Sequence, residues 1–425
     1  MEKNPEKRRQ ERLRRQQERQ EKAAKQRKAL IRLAVAAVVL IAVGVGIFLI
    51  ARNAPQSNLH TPITTPGTEP SEETTAAPME PTTTIHLVAG GDLNITDRVV
   101  ASGGADRDYT NAFLDIAHLL ADADITALNL EGLLTGAPYG SESASAPQSL
   151  ANALAAAGVD IVQLANFYSI HKGTSGLATT ISAVKAAGMT PIGAYPDANA
   201  AKAGKGYVIR NVQGIRIAFT AFTKGFYDSV TLPVGSEGCV NLLYKDYNSY
   251  YQQIDTEGIS RVLDAAAAEK PDLIVAMVHW GSEKGDNVSN SQKKICNLMQ
   301  QKGVDVIIGN HPNYLHQMVF DESAGTFVAY SMGDFFGDAD EAGKEYSVLL
   351  DLEITKDNVT GETAVTGFSY TPIFTVAQEN EPLRVVRIHE AMAAYEAGYI
   401  DKVTKETYDA MAYALERIEA RITGK

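Results

Sequence analysis

The sequence predicts an α/β fold, a large mixed domain in which helices cover packed sheets of buried strands. Three observations carry that prediction. The first is the stretch Asp272 to Pro312. Its apolar run Leu273 to Val278 ends abruptly in His279-Trp280-Gly281, and Ile295, Leu298 and Met299 follow at helical spacing. Gly303 stops the helix, and a second apolar run, Val304 to Ile308, ends in Gly309-Asn310-His311-Pro312. Two short β-branched runs joined by a helix mark a βαβ unit with parallel strands. The second observation is that the same alternation occurs between Ile85 and Gly193. The third is a strand-rich half from His316 to Phe374, which makes the fold mixed rather than purely doubly wound.

Taken in order, residues 1–28 are a basic arm of Arg, Lys, Gln and Glu. Such a charge run is first of all a solvated segment. Within 29–52 lies Leu33 to Ala51, a run without charge. Its length is about the 20 residues a helix needs to cross a bilayer. It is too long for a secretory leader and ends without an Ala-x-Ala site. The expectation is a single signal anchor with the basic side in the cytoplasm and the remainder exported. Residues 53–84 are rich in Pro, Thr, Ser and Glu, with too little apolar surface to pack, and read as an extended tether.

The folded domain is placed at 85–386. Ile85 to Asp92 is a strand ending in Gly90-Gly91-Asp92, followed by a helix over 111–123. Ile125 to Leu130 is the next strand, followed by a helix near Ser149 to Ala157. Asp160 to Leu164 leads into Ala165-Asn166-Phe167-Tyr168. A helix from about Ser175 to Ala187 precedes a strand at Met189 to Gly193. Tyr207 to Val212 and Ile215 to Phe222 form a hairpin turning at Gln213-Gly214. A helix over Ile259 to Ala268 leads into the βαβ unit. Beyond it, 316–322, 326–336, 346–355 and 365–374 read as consecutive antiparallel strands. Residues 387–425 read as one or two amphipathic helices, with Tyr395, Tyr399, Tyr408, Met411, Ala412 and Leu415 on the packed face.

Of the 425 residues, 45% are hydrophobic and 21% charged, as in ordinary globular proteins, and the net charge is -12. Because the first thirty residues are strongly basic, the remainder is more acidic than that total. This argues against nucleic acid as a partner, which needs a basic face. Two cysteines, Cys239 and Cys296, make neither a disulfide framework nor a zinc knuckle, though a single bridge stays open.

In open α/β sheets, chemistry gathers past the carboxyl ends of the strands. Asp92, Glu131, Asn166, His279 and His311 all fall there. Their oxygens and imidazoles suit manganese, iron or zinc. Each has a plainer role available: Asp92 or Asn166 as a turn residue, Glu131 as an exposed carboxylate, His279 as a structural histidine. Five such residues at five strand ends favour one shared site over five coincidences.

The motifs Gly91-Asp92, Asn129-Leu130-Glu131, Ala165-Asn166, His279-Trp280-Gly281, Gly309-Asn310-His311-Pro312 and Tyr330-Ser331-Met332-Gly333-Asp334-Phe335 occur in that order. The chain thereby resembles the capsule-synthesis CapA (PgsA) family of poly-γ-glutamate production, over roughly 85–350. The resemblance implies a calcineurin-like metallophosphatase fold, a layered α/β/β/α sandwich, here preceded by a single transmembrane helix. It implies a domain at the outer face of the cell membrane and a divalent transition metal on Asp92, Glu131, Asn166, His279 and His311. It also implies poly-γ-glutamate or another anionic polymer, and membrane synthase subunits, as partners. Three positions depart from the family pattern. Tyr168 stands where a leaving-group histidine is usual, Asn313 where the second histidine of His-Pro-His is usual, and Asp334 where Asn is usual. His171 and His316 lie near the first two gaps. His279 and Tyr168 are the candidate catalytic residues. Two functions follow as expectations: a protein for synthesis, export or anchoring of the polymer with a degenerate metal site, and an active metal-dependent hydrolase at the cell surface.

Overall fold

The computed structural model describes residues 80–424, apart from residues 284, 286, 340, 380 and 400–402. The basic arm, the expected membrane span and the tether up to residue 79 lie outside the described residues. Among the described residues, no helix is long and apolar enough to cross a membrane.

The strands, in chain order, are β1 (Thr82–Asn94), β2 (Ile125–Glu131), β3 (Ile161–Gln163), β4 (Thr190–Ile192), β5 (Tyr207–Val212), β6 (Ile215–Thr223), β7 (Leu273–His279), β8 (Val306–Asn310), β9 (Met318–Asp321), β10 (Thr326–Ala329), β11 (Asp334–Phe336), β12 (Tyr346–Asp357), β13 (Thr363–Val376) and β14 (Arg384–Arg387). They form two mixed sheets. One has the order β14-β13-β12-β1-β2-β3-β4, with β11 also paired to β1, and the other β5-β6-β7-β8-β10-β9. In the first sheet β1 to β4 run parallel. In the second, β6, β7, β8 and β10 do so.

The second sheet shows how the layers arise. Along β6 to β8 alternate side chains point to opposite faces. Ile217, Phe219, Val275, Met277, Val306 and Ile308 enter the core shared with the first sheet. Ala218, Phe222, Ile274, Ala276, Val278 and Ile307 pack instead against Ile259, Leu263, Ile295 and Met299. Those last residues belong to the helices Thr256–Ala268 and Asn290–Gln301. Strands buried on both faces carry no polar alternation, which is why they read as unbroken apolar runs. On the first sheet, helices Gln148–Ala157 and Gly173–Ala186 bury Leu150, Leu154, Leu177, Ile181 and Val184 in the same core as β1 to β4. The two sheets meet where β1 faces β8 and β4 faces β6.

Several expectations need correction. The first strand begins at Thr82, which pairs with Asp357, three residues before the expected Ile85. The stretch 326–336 is two strands in different sheets. β10 runs beside β8 and β11 beside β1, because the chain crosses between sheets at Tyr330 to Gly333. The strands after 316 are therefore not one antiparallel succession. The helix expected over 111–123 breaks into Thr110–Phe113 and Ala117–Ala121. The hairpin turn lies at Gln213 and Gly214, both with positive φ, as the twist of a two-residue β-turn requires. The C-terminal segment forms two helices, Ile388–Glu396 and Lys405–Thr423. Met411, Ala414, Ile418 and Ile422 are buried and Tyr395, Tyr408 and Leu415 partly so, whereas Tyr399 is exposed. That face joins the main core, so the segment belongs to the same compact unit as the two sheets. Cys239 and Cys296 are buried, free thiols in different hydrophobic clusters.

Candidate functional site

The carboxyl ends of the parallel strands of both sheets open on one edge, and the strand-end residues meet there. β1 reaches it through a bulge between Ala89 and Asp92. Gly91 lies against the crossing segment so closely that a methyl group on it would overlap the carbonyl oxygen of Gly333. That same oxygen accepts a 2.9 Å hydrogen bond from the Asp92 amide. The glycine is thus dictated by the approach of two backbones. At the end of β8, His311 has a φ of 90°, an uncommon conformation for a non-glycine residue. Strain of this kind persists where surroundings impose it. Here the His311 amide donates to Asp92 Oδ2 at 2.9 Å.

Glu131 Oε2 lies 2.9 Å from His279 Nε2, and the ring centroids of His279 and His311 are 4.5 Å apart. Ligand atoms of Glu131, His279 and His311 all lie within 4.8 Å of one another, and all three residues are buried. Metal–nitrogen and metal–oxygen bonds of about 2.1 Å place neighbouring ligand atoms roughly 3–4 Å apart, so a small relaxation suffices to hold one divalent ion. His279 Nδ1 faces the Thr223 hydroxyl at 3.5 Å, and that hydroxyl donates to Gly225 O. This arrangement directs Nε2 toward Glu131 as the free lone pair.

Electrostatics agree with that donor set. Burial, then repulsion from Glu283, pushes the Glu131 carboxyl up to about 8. Burial holds His279 and His311 well below the usual histidine range, helped by the nearby Lys224 ammonium. Without an ion the proton therefore sits on Glu131, which donates it to a neutral His279. Lys224 is itself fixed, its Nζ donating to Gly281 O at 2.6 Å.

The remaining expected residues surround this trio. Asp92 is fully buried and accepts from Asn129 Nδ2 at 2.6 Å. Burial, then Glu131, raises its carboxyl well above the usual range. The Asn166 amide is turned onto its neighbours: Nδ2 donates to Asn129 Oδ1 and Leu130 O, and Oδ1 accepts from the Tyr168 amide. Phe167 packs against both imidazoles, its ring centroid 5.0 Å from His311 and 6.2 Å from His279. Tyr168 lines the cavity and stacks on Tyr227 at 5.4 Å. Burial, then Glu131 and Glu283, raises its phenol above the usual value, which makes it a weaker acid. His171 turns to Glu142 O and His316 to Gly285 O, so neither imidazole replaces the missing ones.

Asn313 and Asp334, two of the departures, touch each other, with Asn313 Nδ2 donating to Asp334 Oδ1 at 2.8 Å. Asp334 pairs in register with Asp92. Burial, then Asp92, holds its carboxyl well above the usual range. One half of the site thus offers carboxylate and imidazole, the other two carboxyls and an amide. A cavity of about 230 Å³ opens over both halves, with Glu283, Thr96 and Lys344 on its walls. Asn129 was missed as a site residue, although its place two residues before Glu131 on one strand puts both on the same face. Lys224 and Glu283 stand in loops and carried no sequence signal.

A two-sheet α/β domain with a buried carboxylate–histidine cluster at the shared strand edge defines the class. Residues 86–339 match the family model described as bacterial capsule synthesis protein PGA_cap, and the chain belongs to that family. It is 28% identical over 216 residues to the capsule biosynthesis protein CapA of Bacillus anthracis, covering 51% of this chain and 49% of that one. It is 26% identical over 210 residues to the PGA biosynthesis protein CapA of Bacillus subtilis (strain 168), covering 48% and 50%. The match thus spans about half the length of these curated relatives. Among solved structures, the calcineurin-like phosphoesterase YfkN from Bacillus subtilis aligns with a TM-score of 0.43 at 16% identity, covering 80% of this chain and 97% of that one.

Proposed function

We propose that this chain is a surface-anchored capsule-synthesis protein whose domain binds one divalent cation on Glu131, His279 and His311. In this reading it acts in making, exporting or anchoring an anionic polymer such as poly-γ-glutamate, beside membrane synthase subunits. The convergence of those three buried donors is the observation that carries the reading. Family membership supports the capsule role. The uncharged run Leu33 to Ala51 supports the anchor, with the domain outside the membrane. Packed sheets with the site at their carboxyl edge support a calcineurin-like metallophosphatase fold.

The mixed imidazole and carboxylate donors fit manganese, iron or zinc. A divalent cation supplies Lewis-acid polarisation to a phosphoryl, ester or amide oxygen. The chain's own residues set the limits. Glu131 must release its proton before it can act as an anionic ligand. Phe167 covers the imidazoles and keeps water from their faces. Tyr168, with its raised phenol, is a poor proton donor to a leaving group. Asn313 occupies a ligand position with a neutral amide already held by Asp334. Turnover is accordingly slow, and binding dominates. Metal analysis of the purified full chain tests this. One equivalent of ion per chain, lost in His279→Ala and His311→Ala, is expected, and an ion-free wild type after metal loading overturns it.

The second reading, a working surface hydrolase, draws on the cavity itself, which leaves room over Glu131 and His311 for a small ester or amide. Metal-dependent turnover near a typical enzyme's ~10 s⁻¹ on a generic phosphodiester or γ-glutamyl amide would decide for it.

A further inference from the structure

The candidate centre draws its donors from both sheets. Glu131 ends β2 of the first sheet, whereas His279 ends β7 and His311 follows β8 of the second. Its geometry therefore depends on how the sheets are set against each other. A side-chain hydrogen bond joins them beside those donors. Asn310 Nδ2 on β8 donates to Gln163 Oε1 on β3 at 3.0 Å, and both residues are fully buried. Gln163 pairs in register with Asn129, which bonds Glu131, and Asn310 pairs in register with His279. We propose that Gln163 and Asn310 are positioning residues, a latch between the sheets that fixes Glu131 against His279 and His311. The proposal rests on the one-cation reading above and adds the device that sets the spacing of its ligands.

Three observations carry it. The first is that the latch has one fixed orientation. Gln163 Nε2 donates to Ala165 O at 2.8 Å, and a carbonyl only accepts. Gln163 therefore presents its oxygen across the interface, and Asn310 must answer with its amino group. The second is the setting. By register and alternation, Ile161 and Ile192 share the face of Gln163, and Met277 and Ile308 share that of Asn310. All four belong to the core between the sheets. Two amides in such an interface add little stability over apolar side chains, but a polar pair there admits one register only, as a buried asparagine does between helices. The third is that stability is not what the pair optimises. Among the described residues, Asn310 Oδ1 is buried without a hydrogen-bond partner, which is unfavourable. The required precision is high. Metal–ligand distances hold to about 0.2 Å, so a slide of one sheet over the other by roughly 1 Å is enough to spoil the set.

Asn310→Leu in the purified full chain tests this. Leucine has the shape of asparagine and breaks the latch while leaving Gln163 bonded to Ala165. It strands Gln163 Oε1 but removes the orphaned Asn310 oxygen, so the number of buried unpaired acceptors is unchanged. Urea unfolding in chelator should stay close to the wild type, while competition titration with zinc should show affinity at least tenfold weaker. The reversed pair Gln163→Asn/Asn310→Gln keeps an amide on each strand and should recover most of the lost affinity. Wild-type zinc affinity in Asn310→Leu overturns the latch. Equal losses in Asn310→Leu and the reversed pair overturn it too, since packing rather than the amide bond would then set the affinity. Should Asn310→Leu not fold, Gln163→Met breaks the same bond from the other strand and is judged by the same affinities. A wild type that binds no zinc sinks the one-cation reading, and the ion-free protein then decides the latch. The ¹⁵N-labelled His279 ring, assigned by its loss in His279→Ala, should give one set of signals in the wild type and shifted or multiple sets in Asn310→Leu or Gln163→Met. Identical signals overturn the latch.

Discussion

Glu131→Gln should make the ion-free protein more stable and the ion-loaded protein less so. Glu131 is 5% exposed, and its carboxyl is pushed from 4.5 to about 8 in the fold. A group whose folded pKa lies above its unfolded value adds stability that is complete below the unfolded pKa. That stability is lost as pH rises through the folded pKa. Through this group alone, the ion-free wild type should therefore weaken relative to the variant by about 1.4 kcal/mol per pH unit between those two values. At about pH 7 the loss is roughly 3 kcal/mol. Glutamine has no such titration and can still donate to His279 Nε2. Its second contact, with Asn129 Nδ2 at 3.3 Å, is made worse, which leaves a net gain of about 2 kcal/mol at pH 7. Urea unfolding in chelator, followed by circular dichroism from pH 4.5 to 8, reads this directly. With manganese or zinc at about 100 times its dissociation constant, the wild type should regain about 2.7 kcal/mol and the variant nothing. A variant no more stable than the wild type in chelator near pH 7, or a difference that does not shrink toward pH 4.5, would refute the reasoning.

Trp280→Phe should cost about 2–4 kcal/mol in the same unfolding assay, because it strands the Tyr330 carbonyl that accepts from the indole at 2.9 Å and opens a cavity in a fully buried position. Gly91→Ala should cost more than about 3 kcal/mol, or abolish soluble expression, since the new methyl meets backbone rather than a movable side chain. Tyr168→His with Asn313→His should raise metal affinity and phosphodiester turnover together, read by metal titration and by rate. Unchanged affinity would mean that Asn313 is not at a ligand position. Asp305, whose carboxyl burial pushes to about 6 while it accepts from the Ile274 amide, is a control outside the site. Asp305→Asn should stabilise near pH 7 and not below pH 4, whatever the ion content.

Period and punctuation made the βαβ units legible: apolar runs too short for helices, stopped by Gly303 or by His279-Trp280-Gly281. The strand-end rule located Asp92, Glu131, His279 and His311 because parallel strands deliver their last side chains to one edge. The crossing at Tyr330 to Gly333 was not legible. Its driving contact, the Gly333 carbonyl on the Asp92 amide, joins residues far apart in sequence and leaves no local pattern. Asp334 therefore read as part of one strand with Phe327, although the two lie in different sheets. The helix break near Leu114 was equally hidden, since its apolar residues kept helical spacing across it. In the C-terminal helix the face was shifted: tyrosines drew attention, while small and β-branched residues, Ala414, Ile418 and Ile422, make the contact.

β1 runs for 13 residues, from Thr82 near the loop after Asp357 to Asn94 at the cavity wall. At about 3.3 Å per residue that is roughly 40 Å. The strand therefore acts as a spacer between two ends with different duties. At the Thr82 end, nothing of the candidate site is within reach. Where the strand ends, the centre is. Shortening, lengthening or replacing what precedes Glu80 should change where the domain is held without altering the pocket. Attachment of the domain to a bead through Glu80 should leave the cavity open to solvent.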